Sequence, residues 1–115
     1  MSLSALESSL LWLGIEDYTG LWDAAHQVRS ALSTLGELEA ITQARVVVSG
    51  LAHRELIALY RCIGTLADGQ VTDVAAGEVD SVLEDERSWK TPETPFGESI
   101  WYATTDAGQS LYSQP

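Results

Sequence analysis

Apolar residues recur along the 115-residue chain at two periods, and the change from one to the other divides it into a helical half and a mixed half. Leu3, Leu6, Leu10 and Leu13 stand three, four and three positions apart, which places them on one stripe of a helix over residues 1–14. The same spacing is that of a short coiled-coil seam, so the stripe has two readings: packing on the chain's own core, or dimerisation with a second copy. Gly14 interrupts the pattern, and Asp17 stands where a second helix over 17–31 needs its cap, ahead of Tyr18, Leu21, Trp22, Ala25, Val28 and Leu32. A third helical pattern over 35–52 runs through Leu35, Leu38, Ile41, Ala44, Val48 and Leu51, with Thr34 as cap and Glu37 in the capping-box position. The β-branched run Val46-Val47-Val48 weakens that helix only slightly, and the longer period prevails.

After residue 54 the pattern changes. Glu-Leu-Ile-Ala-Leu-Tyr-Arg-Cys at 55–62 predicts a strand, and Asp68-Gly69 predicts a loop beyond it. Residues 75–87 set Val79, Val82 and Leu83 among five carboxylates, the composition of a short surface helix with a narrow apolar edge. Trp89, Pro92, Pro95 and Gly97 mark an irregular connection, followed by a strand over 99–104 and a short helix opening at Thr105 or Asp106 and ending near Tyr112. The whole of 1–115 is expected to form one α+β domain, because this length suits a single core and 45% of it is apolar.

The longest apolar stretch, 10–15, is far below the roughly 20 residues that cross a bilayer, so no membrane span is expected. With no basic segment ahead of that stretch and a single thiol, Cys62, a cytoplasmic location is the expectation. Net charge changes the picture more. Seventeen carboxylates against six cations give −11, a field that repels polyanions and steers basic partners. The charge is unevenly spread. Over 29–61, Arg29, Arg45, Arg54 and Arg61 against three glutamates leave +1, whereas over 62–97 two cations against eight carboxylates leave −6.

No pattern carries a reaction. His26 and His53 are 27 residues apart, Cys62 has no local signature and reads as a small core residue, and no nucleophile elbow or phosphate loop occurs. Glu84-Asp85-Glu86 lacks the alternating ligands and turn glycine of a calcium loop. No metal, cofactor or catalytic residue is expected. Trp89 has two readings, a clamp that holds the connection on the domain or an exposed anchor for a partner.

The order helix, helix, helix, strand, connection, strand, short helix resembles the winged helix-turn-helix superfamily. Two segments carry the resemblance. Residues 51–61 look like the end of that family's third helix followed by its first wing strand. Tyr102-Ala103-Thr104-Thr105-Asp106-Ala107-Gly108 is similar to the Tyr-x-Leu-Thr-x-x-Gly ending of the second wing strand in MarR- and PadR-type regulators. Asp17-Tyr18-Thr19-Gly20-Leu21-Trp22 also resembles the opening of small uncharacterised bacterial proteins. The resemblance implies a three-helix core, a two-stranded wing, Thr105 capping the final helix and Tyr102 pointing into the core. It differs in two places: the helix over 35–52 is continuous where the family has two short ones, and residues 63–97 form a long acidic insertion between the wing strands.

Two functions follow as expectations. One is a non-enzymatic regulatory binding module that dimerises and contacts another protein. The alternative is a dimeric DNA-binding transcriptional regulator presenting Arg45 and Arg54 to phosphates, which the overall charge disfavours. An insertion lying over the 35–52 helix favours the first, and one swung clear of it the second.

Overall fold

The leucine stripe folds as the first helix, α1 (Ala5–Glu16), in a computed structural model that describes residues 3–65, 69–92 and 97–114. Asp68 and Pro95, named above, lie outside the described residues. A capping box starts α1: the Ser4 hydroxyl accepts from the Glu7 N–H, and the Glu7 carboxylate accepts from the Ser4 N–H. Leu10 is fully buried, and Leu3, Leu6 and Leu13 pack half-buried on the same core. The stripe's apolar surface is therefore largely used within the chain.

Gly14 does not break the helix, contrary to the expectation. It is buried within α1, where a Cβ would lie 2.6 Å from Thr104 Oγ1 and 2.9 Å from the Thr104 backbone nitrogen. Its missing side chain lets α1 lie directly on strand β4 (Glu98–Thr104). Two hydroxyls fasten that contact: Tyr102 donates to the Leu10 carbonyl and Thr104 to the Leu11 carbonyl, each at 2.7 Å. Tyr102 is fully buried.

The second helix starts later than expected. Asp17 accepts the neighbouring Tyr18 N–H, Thr19–Gly20 pair with Tyr102 and Trp101 as the short strand β1, and α2 spans Leu21–Ala31 with Gly20 as its cap. The third helix, α3 (Glu37–His53), is capped by Gly36, not Thr34, with no side-chain acceptor. Glu37 and Glu39 in its first turn sit favourably at the positive end of the helix dipole. Ala40, Ala44, Val48 and Leu51 form its buried face. Its end is a Schellman motif: the Leu56 N–H reaches the Leu51 carbonyl, the Glu55 N–H reaches the Ala52 carbonyl, and Glu55 takes φ 57°.

The expected two-stranded wing is a pair within a larger antiparallel sheet of order β1-β4-β2-β3. Strand β2 (Ile57–Ile63) pairs with β4 along its whole length, from Ile57 opposite Thr104 to Ile63 opposite Glu98. Strand β3 (Gln70–Asp73) pairs with the other edge of β2, and all four of its residues are exposed. Ile57, Leu59, Ile100 and Tyr102 face the helices and join the core with Leu10, Leu21, Val28 and Leu51. After β3 come a 3-10 turn (Ala76–Glu78), α4 (Val79–Glu84) and a second 3-10 turn (Glu86–Trp89). The last helix, α5 (Asp106–Tyr112), is capped by Thr105, whose hydroxyl accepts from the Gly108 N–H as the motif implied.

Candidate functional site

The residues after β3 return to α3. In a helix as short as α4 the last carbonyls have no partner within it, so they take donors from elsewhere. The Leu83 carbonyl receives two, Arg45 Nε from α3 and Trp89 Nε1, both at 2.8 Å. Trp89 is 3% exposed, so of its two readings the clamp holds: the ring is core, and it pins the segment to the domain. About two turns further along α3, His53 Nε2 lies 2.7 Å from Asp80 Oδ1, an exposed contact between the same two helices.

The two arginines assigned to a phosphate backbone are both engaged. Arg45 is held by Leu83 as described. Arg54 Nη1 lies 2.8 Å from Glu7 Oε2, tying the end of α3 to the start of α1. The Ser4 N–H, and after it the Ser4 hydroxyl and the Arg54 charge, hold the Glu7 carboxyl below its usual range against the opposing effect of burial. On the exposed side of α3 stand Glu37, Leu38, Glu39, Thr42, Gln43 and Val46, with no Lys or Arg among them. Leu38 is 79% exposed and Val46 64%, and Thr42 stands midway between them on the same stripe.

Between α2, α3 and the second 3-10 turn lies a groove of about 740 Å³. Trp22, Ala25 and Ile41 give it apolar lining, and Arg29, Arg45, Lys90 and His26 bring positive or titratable groups to it. Glu37 and Glu86 also line it. The chain's six cations divide evenly. Arg54 pairs with Glu7, Arg87 with Asp85, and Arg61 Nε lies 2.9 Å from Glu98, a close approach without hydrogen-bond alignment. Arg87 hydrogen bonding brings the Asp85 carboxyl down to about 2. The other three, Arg29, Arg45 and Lys90, meet no carboxylate within ion-pair distance among the described residues, and all three line the groove.

The aromatic residues are less scattered than their spacing suggests. Trp22 and Trp101 meet edge to face at 4.8 Å between ring centres, as do Tyr18 and Tyr60 at 5.3 Å. Pairing of Tyr60 with Trp101 across β2 and β4 puts these rings on the side of the sheet away from Leu59 and Tyr102. Burial, with the nearby Tyr18 and Asp73, raises the Tyr60 hydroxyl above its ordinary value. Cys62 is fully buried, its Sγ 3.5 Å from the Gly64 carbonyl. Among the described residues no three His, Cys, Asp or Glu side chains gather as a metal site, and no helix is long and apolar enough to cross a membrane. No protein-family model, curated protein or solved structure matches the chain.

Proposed function

We propose that the chain is a non-enzymatic, winged-helix-like binding module of regulatory type that acts through protein contacts, including contact with a second copy. The order α1, β1, α2, α3, β2, then a connection, β4 and α5 supports the winged-helix reading, with β2 and β4 as the wing and 64–97 as an insertion in it. Thr105 as cap and Tyr102 in the core accord with the same reading.

The observation that carries the function is the exposed side of α3. In a duplex reader that surface supplies Arg or Lys for phosphates and Arg, Lys, Asn or Gln for base edges. Here two glutamates flank a stripe of Leu38, Thr42 and Val46, and Gln43 is the single side chain of the base-reading kinds at its exposed positions. Apolar side chains ringed by polar ones suit a protein surface, where burying a residue such as Leu38 or Val46 contributes about 1.5–3 kcal/mol each. Light scattering on the eluting protein tests the self-association half. The reading expects a mass above 12.5 kDa at high concentration that returns to it in Leu38→Lys/Val46→Lys. A monomer at every concentration counts against self-association.

A further inference from the structure

We infer that the groove between α2, α3 and the Glu86–Trp89 turn binds a small organic carboxylate with an apolar body. A chain with 17 carboxylates and six cations has every opportunity to neutralise each cation internally. Arg54, Arg61 and Arg87 follow that expectation, and each comes within 4 Å of a glutamate or aspartate. Arg29, Arg45 and Lys90 depart from it together and in one place, although they come from three different elements.

Arg45 is the most ordered of the three. Its Nε is committed to the Leu83 carbonyl, which fixes the plane of the guanidinium and leaves its remaining N–H donors for another acceptor. A carboxylate is the acceptor whose two oxygens match such a fork. The rest of the lining explains why the anion carries an apolar body: Trp22, Ala25 and Ile41 offer it contact area, and the volume lies within the range of about 300–1,000 Å³ usual for small-molecule sites. The net charge selects size. A ligand with one negative charge meets the repulsion of −11 once, whereas a nucleic acid or a strongly acidic protein meets it with every added charge. Glu37 and Glu86 set the same limit locally, since two carboxylates among three cations leave about one positive charge for the ligand.

Octanoate, with its uncharged analogue octanamide as control, is the probe. Backbone amide spectra of the full chain titrated with each ligand are expected to move around Arg29, residues 38–45 and Lys90 with octanoate. Octanamide is expected to bind more weakly by up to about fivefold, the size of one partly exposed charge interaction. Arg29→Gln and Lys90→Gln, both at exposed positions, are expected to weaken octanoate by a similar factor each while leaving octanamide and the thermal unfolding midpoint unchanged. Equal affinity for the acid and its amide overturns the inference. So does octanoate binding that is insensitive to both substitutions, or no shift in the named residues at millimolar ligand.

Discussion

The contact of α1 with β4 and the groove between α2 and α3 represent opposite solutions to packing in the same small molecule. In the first, a glycine brings helix and strand to backbone distance, and two hydroxyls donate to helix carbonyls at 2.7 Å. In the second, α2, α3 and an inserted turn form three walls, and about 740 Å³ stays open between them. At the first, the Tyr102 and Thr104 hydroxyls are both hydrogen-bonded, while the second collects the cations that meet no carboxylate among the described residues. Unused charge in this chain therefore gathers where the packing opens.

The largest test of that contrast is Trp89→Ala. The indole is the one large core side chain holding the groove's third wall, so its loss is expected to cost about 3–5 kcal/mol in urea unfolding. A cost under about 1 kcal/mol would mean that the wall is held by other contacts. Gly14→Ala tests the other region. The added methyl meets Thr104 backbone and side chain, and the expected loss is about 1–3 kcal/mol with faster amide exchange in β4. Amide exchange unchanged in β4 would show that α1 does not hold the strand.

The end of α3 borders both regions and predicts a gain. Glu55 occupies a left-handed position at φ 57° that glycine adopts without strain, so Glu55→Gly is expected to stabilise by about 1 kcal/mol, read as a rise in the unfolding midpoint. A loss would mean that the Glu55 side chain has a role of its own. The smallest effect concerns Glu7, which joins α1 to Arg54. Its carboxyl is held below the ordinary 4.5, so its contribution is complete above that value and fades as the pH falls through the lowered one. Glu7→Gln is expected to flatten the acid side of the stability profile below about pH 4.5 and leave its alkaline side unchanged.

Much of the fold was legible from residue patterns, for reasons that also account for what was not. The faces of α2 and α3, the pair β2 and β4, and Thr105 as a cap all rest on local periods or a local hydrogen bond. Strand β1 has two residues, and β3 exposes all four of its own, so neither can show an alternation. Gly14 looked like a break because its role depends on Thr104, 90 positions away. The groove had no signal at all: Arg29, Arg45 and Lys90 become neighbours only through the packing of three elements, and the same packing gave Arg45 its internal carbonyl. Of the two readings of Trp89, burial decided for the clamp.

The central claim is that α3 faces proteins and not duplex DNA. Fluorescence anisotropy of a labelled duplex, titrated with the protein at about 50 mM salt, tests it where phosphate contacts are strongest. The account predicts no saturable rise. Saturable binding that weakens steeply with added salt and disappears in Arg45→Ala would contradict it.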